Sequence, residues 1–352
     1  MGTRQAIRYP AEWEPQEGVL LCYPHNGHDW PGKYGAIQWA LIDFIKKVAE
    51  VETVFLLVRD RALQAIVHEK LERAHVNTKQ VQYIVCKTNR SWMRDSGPIG
   101  IYRNGKRSFL KFAFNGWAKY TNYRLDRHVA GVVSSHFSQS PLVASYRGKE
   151  VVLEGGALES NGRGTLITSE ECLLHPSVQV RNPGFTREDY EAVFREFLGI
   201  THVIWVNKGI VGDDTHGHID DLCRFVSPDT IVAVEEENPK DENYAILQEN
   251  LELLRKSRLQ DGSKPKIVTL PMPRPILYEG LRLPASYANF LILNQRVLVP
   301  TFNDVNDARA LGQLAACFPD REVIGIHALD LIWGFGTLHC LSQQVPAAAS
   351  RI

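Results

Sequence analysis

The sequence lacks several features that would assign it to a specialised class of protein. It has no excess charge, because 40 Lys and Arg residues balance 40 Asp and Glu residues, and the two signs are mixed along the chain. A main role in binding nucleic acid needs a basic surface. There is also no run of about 18 apolar residues of the kind that spans a membrane. We therefore expect neither nucleic acid nor a membrane as a partner.

Cysteine is scarce, and the chain does not start like an exported protein. The opening 1–6 has no apolar segment of the kind found in secretory signals, so we expect a cytoplasmic protein. Six cysteines without a CxxC spacing are too few for a disulfide scaffold in 352 residues. We expect reduced thiols at all six positions, namely Cys22, Cys86, Cys172, Cys223, Cys317 and Cys340.

The sequence has the composition of an ordinary soluble globular protein, with 44% hydrophobic and 23% charged residues. Hairpin signals recur along it at regular intervals. Apolar strand patterns flank turns at Asn104-Gly105, Asn161-Gly162, Ser227-Pro228 and Asn294-Gln295. Successive turns are 57 to 67 residues apart, so the chain carries an internal repeat.

Helical patterns lie between these hairpins, and each is followed by a short apolar strand. One helix is predicted from the capping-box pair Thr186 and Asp189 to Leu198. Three more are predicted over 35–48, 242–254 and 304–317. About five units of about 70 residues account for the whole chain.

Repeated β/α units of this length predict an α/β fold in which five blades form a closed propeller, here a single catalytic domain over residues 1–352. A two-domain α/β chain with recurring hairpins is the alternative. In a ring of blades, equivalent loops converge at one end of the axis. Asp95, Glu154, His218 and Cys340 are separated by 59, 64 and 122 residues, and the last gap is close to two repeats. The spacing therefore predicts that these side chains meet at the centre.

Two of the polar segments place a carboxylate beside a predicted strand. Trp92 could stack on a planar cation and Asp95 could bind a guanidinium with both oxygens. Glu154 ends an apolar strand and precedes two glycines, which would let a ligand approach the backbone. A core tryptophan with a local Arg94–Asp95 ion pair, and a solvated Glu154, are the alternative interpretations.

The segment 212–221 contains two histidines and four aspartates. His216, His218 and Asp220 could bind a metal, because an HxH pair on an extended segment places both rings on one face. Alternatively, His218 is a general acid/base and Asp220 orients it or holds a cationic substrate. Spacing alone leaves both hypotheses open.

Cys340 follows a glycine-rich loop that includes Gly336, near the carboxyl end of the chain. The glycines would let the backbone bend around a bound planar group. The other five cysteines lie in or beside apolar strands, or on the apolar side of a helix, and are predicted to be core residues. Cys340 is therefore the candidate nucleophile.

These segments, in their order, resemble the agmatine deiminase and bacterial-type peptidyl-arginine deiminase family of the guanidine-modifying (pentein) superfamily. The resemblance covers nearly the whole chain and rests on six motifs, which begin at Pro10 (PAEWEP), Trp92 (WxRDxGP), Leu153 (LEGG), Asp214 (DxxGHxD), Pro284 (PASYxNF) and His339 (HCxxQQ). It implies a five-bladed α/β propeller and a hydrolase that needs neither cofactor nor metal.

The resemblance also implies roles for individual residues. Cys340 would be the nucleophile and His218 the general acid/base, with Asp95, Glu154 and Asp220 as acidic partners of the substrate and the histidine. The implied reaction converts agmatine to N-carbamoylputrescine and ammonia, a step towards putrescine. Three carboxylates would raise the pKa of the thiol, so we predict that the bound cation helps to form the thiolate.

The chain departs from the agmatine-specific pattern in places. Phe335 interrupts a loop that holds only glycine in that pattern, and Ala157 and Glu159 stand where serine and histidine commonly occur. Asp214 could receive the distal amine of agmatine, and no arginine pair for an α-carboxylate can be assigned. Deimination of peptidyl or free arginine, a metal-dependent hydrolase and a non-catalytic guanidine-binding protein are the rival hypotheses. The sequence leaves the oligomeric state open, a homo-oligomer included.

Overall fold

The structure, a computed structural model, describes residues 6–349. Residues 1–5, which contribute to the expectation about export, lie outside the described part. Five sheets of three or four strands follow one plan. Two adjacent strands pair antiparallel, and a third strand, reached through a helix, lies parallel to the second. The α/β class predicted from the sequence is confirmed.

Four of these sheets follow one another along the chain, and the first also takes in a short strand from near the amino end. Their strands are, sheet by sheet, Ile7–Arg8, Ile99–Arg103, Lys106–Lys111 and Leu142–Val143; Glu159–Ser160, Thr165–Ser169 and His202–Val206; Cys223–Ser227, Thr230–Glu235 and Lys266–Pro271; and Leu291–Ile292, Arg296–Thr301 and Glu322–His327.

The fifth main sheet joins the two ends of the chain. Strand Ser342–Pro346 pairs antiparallel with Gln16–Cys22, and Thr53–Val58 and Val81–Val85 continue the sheet in parallel. This pairing fixes the segment that follows Cys340 to the buried amino-terminal strand. Two small hairpins complete the strands, and they are Ser145–Tyr146 with Lys149–Glu150 and Ile276–Tyr278 with Leu281–Leu283.

Helices form over the four predicted stretches, and five further helices lie within residues 6–349. Residues 6–349 contain the helices Tyr34–Ala49, Arg61–Arg73, Met93–Ser96, Val129–His136, Glu170–Leu174, Arg187–Phe197, Asn243–Lys256, Asp307–Cys317 and Leu338–Leu341. The capping box forms as predicted, since Thr186 accepts from the backbone of Asp189 and Asp189 accepts from the backbone of Thr186. At the first hairpin, Asn104 and Gly105 both adopt positive φ, 50° and 78°, as a tight hairpin turn requires.

Some boundaries differ from the predictions. Beside the predicted turns, the strand after Asn104-Gly105 ends at Lys111, and the strand before Asn294-Gln295 is only Leu291–Ile292. The helix predicted from Asp304 begins at Asp307. The five main sheets are separate, and no sheet within residues 6–349 closes on itself. The strand pairing therefore shows repeated α/β units and does not by itself establish a closed ring.

The cysteines are all free thiols. Cys317 is only half-buried, so the prediction that it is a core residue is wrong: its helix turns that side chain towards the edge of the core. The other four predicted core cysteines are buried. Within residues 6–349, no helix has the length and apolar character needed to cross a membrane.

Candidate active site

A pocket lies where three of the predicted polar segments come together. Aromatic rings form much of its wall, and a cysteine, aspartates and one arginine also line it. Its lining residues include Trp92, Asp95, Trp117, Tyr120, Asp214, Tyr278, Trp333, Phe335 and Cys340. An aromatic and acidic pocket suits a flat organic cation.

The predicted site residues stand at equivalent places in the fold, just before the first strand of a sheet. Asp95 lies in the one-turn helix Met93–Ser96, and Cys340 lies in the one-turn helix Leu338–Leu341 rather than in the predicted loop. Glu154 and His218 each precede a 3-10 turn, and Asp220 lies within the second of these turns. The internal repeat therefore places each group at the same position relative to its sheet, just before the first strand.

The imidazole of His218 is fully buried between two carboxylates. Its Nδ1 is 3.8 Å from Asp95 Oδ1 and its Nε2 is 3.8 Å from Glu154 Oε2. Burial alone would lower the pKa of His218, but Asp95, Glu154 and Asp220 outweigh it and raise the pKa to about 9. The ring is therefore an imidazolium at neutral pH. Within residues 6–349 the nearest acidic partners of the two ring nitrogens are therefore these ion-pair carboxylates, and neither nitrogen has a hydrogen-bond partner.

Each flanking carboxylate has its own support. Asp95 accepts hydrogen bonds from the Trp117 indole at 2.9 Å and from the backbone of Gly156 at 3.2 Å, and burial raises its pKa to about 6. Both carboxylate oxygens of Glu154 accept from Nε of Arg181, each at 3.3 Å. Burial would raise the pKa of Glu154, but Arg181 and His218 outweigh it and lower the pKa. Both acids are ionised at neutral pH.

The two glycines after Glu154 make room for protein groups, whereas the sequence suggested room for a ligand. A Cβ on Gly156 would lie 2.4 Å from His218 Nδ1 and 2.9 Å from Asp95 Oδ1. A Cβ on Gly155 would lie 2.4 Å from the backbone oxygen of Arg94. The close approach of backbone to the buried histidine is the reason for glycine here.

The sulfur of Cys340 lies on the pocket wall among acidic groups. Its Sγ is 3.5 Å from Asp220 Oδ2, and the ligand atoms of Asp220, Asp221 and Cys340 are all within 4.8 Å of one another. Burial, with Asp220, Asp221 and Asp95, raises the pKa of the thiol well above its usual value. The free protein therefore holds a neutral thiol at neutral pH.

Asp220 is held from behind by a second histidine. Nδ1 of His339 is 2.7 Å from Asp220 Oδ2, and Nε2 of His339 is 2.8 Å from Glu12 Oε2. Ionised carboxylates only accept hydrogen bonds, so the His339 ring donates from both nitrogens. Burial would raise the pKa of Asp220, but His339 and His218 outweigh it and lower the pKa. The chain from Glu12 to Asp220 therefore keeps a negative charge beside the sulfur.

Trp92 and Gly336 form one corner of the pocket region. Trp92 is buried, lines the pocket and packs on Trp30 with ring centroids 5.4 Å apart. A Cβ on Gly336 would lie 2.8 Å from the Trp92 ring and 3.0 Å from the Cβ of Cys340. Gly336 itself is not among the residues that line the pocket. Its place in the structure is to let the loop pack closely on Trp92 and Cys340.

Asp214 also lines the pocket, and it already has partners. Lys119 Nζ pairs with Asp214 Oδ1, and the Tyr120 hydroxyl donates to Asp214 Oδ2 at 2.8 Å. A distal ammonium group would have to share or displace the lysine. Phe335 lines the same pocket, and its own φ angle is 68°. Glycine adopts this left-handed conformation without strain.

The metal hypothesis based on His216, His218 and Asp220 loses its geometric basis. His216 is turned towards Glu171, with its Nδ1 3.1 Å from the backbone oxygen of that residue. Among residues 6–349 two groups bring three possible ligand atoms within 4.8 Å, and His216 belongs to neither. They are Glu154, Cys172 and His218, and Asp220, Asp221 and Cys340.

Sequence reasoning missed several residues of this site. Asn289 contacts the sulfur at 3.0 Å, Trp117 and Arg181 anchor the two acids beside His218, and Glu12 and His339 support Asp220. A signal for Asn289 was present, since the 122-residue gap before Cys340 spans two repeats and leaves one unit without a predicted site residue. Asn289 lies two residues before the first hairpin strand of that unit.

Comparison with known proteins identifies the family of this chain. The model of the Porphyromonas-type peptidyl-arginine deiminase family matches residues 8–346. The chain belongs to this family. It is 32% identical to the agmatine deiminase of Pseudomonas fluorescens over 362 residues, with 96% of this chain and 95% of that protein covered.

Solved structures of family members resemble the present one closely. A cysteine-to-serine variant of the C. jejuni agmatine deiminase with substrate bound has a TM-score of 0.88 and 31% identity, with 98% of each chain covered. The Enterococcus faecalis agmatine deiminase has a TM-score of 0.87 and 28% identity, with 97% of this chain and 96% of that chain covered. The two family activities, on agmatine and on peptidyl arginine, both act on a guanidinium.

Proposed function

We propose that this family member is an agmatine deiminase, which hydrolyses agmatine to N-carbamoylputrescine and ammonia through a covalent thiouronium on Cys340. The observation that carries the proposal is the position of the Cys340 sulfur, 3.5 Å from Asp220 in a pocket that also exposes Asp95. A sulfur nucleophile placed between carboxylates that can fix a guanidinium suits attack on its central carbon.

Substrate binding follows from the charges. A guanidinium stays protonated at neutral pH because its pKa exceeds about 12. Asp95 and Asp220 bind its N–H groups and offset its charge, and Trp92 forms an aromatic wall for the planar group. Gly336 acts by allowing close packing behind that wall. Asp214 receives the distal ammonium of agmatine at the outer part of the pocket.

The chemistry has two halves. The bound cation offsets the acids around the thiol and favours loss of its proton to water, and the thiolate then adds to the guanidinium carbon. The imidazolium of His218 donates a proton to the departing nitrogen, the C–N bond breaks and ammonia leaves. Neutral His218 next accepts a proton from water as the water oxygen attacks the thiouronium carbon. The C–S bond then breaks, the remaining hydroxyl proton passes to the sulfur, and the ureido product leaves the free thiol behind. Glu154 holds His218 in place through both steps.

The finer architecture belongs to the same proposal. We infer that the five sheets are blades of a propeller that surround one axis, as a single catalytic domain. Five comparable positions before the first strands carry Asp95, Glu154, His218 with Asp220, Asn289 and Cys340. A closed arrangement is the simplest one that lets five units supply one small pocket.

Two rivals remain to be separated by experiment. Deimination of a peptidyl or free arginine uses the same central chemistry and differs only at the far end of the substrate, where Asp214 favours an amine. A non-catalytic guanidine-binding protein would lack any covalent intermediate.

The test is mass spectrometry of the protein quenched during turnover of agmatine, combined with an assay of ureido product from agmatine, arginine and an arginine peptide. We expect a mass increase on Cys340 and product mainly from agmatine. Product mainly from the peptide would show that the protein is a peptidyl-arginine deiminase instead. Turnover without any adduct in wild type, and retained by Cys340→Ala, would overturn the proposal.

A further inference from the structure

The side chain of Asn289 lies against the sulfur of Cys340 and has no part in the mechanism above. Asn289 is fully buried, and its Nδ2 is 3.0 Å from Cys340 Sγ and 2.9 Å from Asp221 Oδ1. Both N–H groups of the amide therefore have a partner. A group in contact with the reacting atom can affect the reaction directly.

The orientation of this amide is fixed by its other end. Oδ1 of Asn289 lies 3.1 Å from the backbone nitrogen of His339 and 3.3 Å from that of Cys340, and it accepts from the Thr337 hydroxyl at 2.8 Å. Backbone N–H groups only donate, so the atom that faces them must be the oxygen. The amide nitrogen must therefore face the sulfur, and the sulfur must act as acceptor.

An N–H donor has a particular value at this position. The acids around the sulfur favour the neutral thiol, whereas the nucleophile is the thiolate. A hydrogen bond to the charged form of a group stabilises that form. The amide also binds Asp221 through its second N–H, so that this carboxyl group is held by Asn289 as well as lying near the sulfur.

We propose that Asn289 is a further catalytic residue, which donates an N–H to the Cys340 sulfur and stabilises the thiolate that attacks the guanidinium carbon. The proposal rests on the proposed function only for the identity of the electrophile. The S–H proton passes to water before the C–S bond forms, and the amide N–H stays on Asn289 throughout. The hydrogen bond from the Asn289 amide to the sulfur breaks only when the sulfur lone pair forms the C–S bond.

The test uses Asn289→Asp and Asn289→Ala. The aspartate keeps an oxygen for the two backbone N–H groups and replaces the donor with a negative oxygen that faces the sulfur. The alanine removes the donor without adding charge. The readout is the rate of alkylation of Cys340 by iodoacetamide at about pH 8, followed by peptide mass spectrometry, because this rate reports the thiolate fraction without any substrate.

Asn161→Ala is the matched control. Asn161 is another buried asparagine whose oxygen accepts two backbone N–H groups, from Arg163 and Thr165 at 2.9 and 3.0 Å, and it does not line the pocket. We expect its alkylation rate to equal that of wild type. We expect about a tenfold loss for the alanine at Asn289 and up to about a hundredfold loss for the aspartate, with parallel losses in kcat on agmatine.

Alkylation rates within twofold of wild type in folded Asn289 variants would overturn the proposal, even if agmatine turnover changed. Conversely, absence of agmatine turnover in wild type would refute the proposed function and leave the alkylation result intact. Should both variants fail to fold, the asparagine side-chain amide resonances of ¹⁵N-labelled wild type replace them. One resonance must then follow the titration of Cys340 and shift on its alkylation, and the absence of such a resonance would overturn the proposal.

Discussion

Asp95 and His218 precede the first strands of different sheets and meet with Oδ1 and Nδ1 3.8 Å apart, both buried. After burial, which lowers it, Asp95 has the largest effect on the pKa of His218 and raises it. The acid that would bind the guanidinium therefore also keeps the histidine protonated. Substrate binding and proton donation are coupled through one pair of residues.

This coupling predicts the behaviour of Asp95→Asn. Loss of the negative charge should lower the pKa of His218 from about 9, because burial then has less opposition. NMR titration of the histidine rings in the free protein measures this value, and the remaining histidines serve as internal controls. An unchanged pKa of His218 would mean that Glu154 and Asp220 alone set its charge.

The raised pKa values predict how activity depends on pH. Below about pH 9 the free protein holds both a thiol and an imidazolium, and the reaction needs the thiol proton removed while the imidazolium remains. The value of kcat/KM should therefore rise with pH up to about 9 and fall after His218 and the thiol have both lost their protons.

The pH profile of kcat/KM should also have a second slope, at low pH. Below about pH 6, protonation of Asp95 should add a further loss of kcat/KM. With substrate bound, the cation lowers the pKa of the thiol, so kcat should reach its plateau at lower pH than kcat/KM does. A kcat/KM that stays level from about pH 6 to about pH 9 would instead indicate a thiolate already formed in the free protein.

Asp214→Asn tests the far end of the pocket. We expect KM for agmatine to rise about tenfold with little change in kcat, because the ammonium loses a charged partner. An alkylguanidine of similar length without the amine should show no such change. Tyr120→Phe is the control, since it removes only the hydroxyl that donates to Asp214. Equal effects on both substrates would show that Asp214 shapes the pocket rather than binding the amine.

Glu12 carries a prediction about stability. This buried carboxylate pairs with Arg224 at 2.7 Å and His339 at 2.8 Å, and accepts from the backbone of Ile292 at 2.8 Å. Glu12→Ala leaves buried cations without their partner, so the free energy of unfolding should fall by about 3–5 kcal/mol. Urea unfolding measures it, and Glu72→Ala, at an exposed site, should change it by less than about 0.5 kcal/mol.

The pKa of Glu12 gives the sign of the accompanying pH effect. Burial would raise this pKa, but Arg224, His339 and Arg94 outweigh it and lower the pKa. A carboxylate with a depressed pKa stabilises the fold above its unfolded-state pKa and loses that effect as the pH falls through its folded-state pKa. The difference between wild type and Glu12→Gln should therefore shrink only in strong acid. A difference that vanished near neutral pH would contradict the assigned ion pairs.

The local structure and the chemical types of the site residues could be predicted from the amino-acid sequence. The Thr186 and Asp189 capping box and the Asn104-Gly105 turn depend on neighbouring residues, so their outcome could be read directly. The repeat also predicted that residues at equivalent places before the strands would be the polar ones, and Asp95, Glu154, His218 and Cys340 stand at such places.

The contacts between individual atoms of the site could not be predicted in this way, because they depend on the packing of the whole chain. This packing placed the Asn289 amide on the sulfur, made His339 a bridge between Glu12 and Asp220, gave Asp214 to Lys119 and Tyr120, and turned His216 away to Glu171. These pairs join residues far apart in the chain, and their geometry depends on how the sheets pack and how each buried polar group finds a partner. The period of the repeat predicts where along each unit a side chain lies, whereas tertiary packing determines which way it points and which residue it contacts.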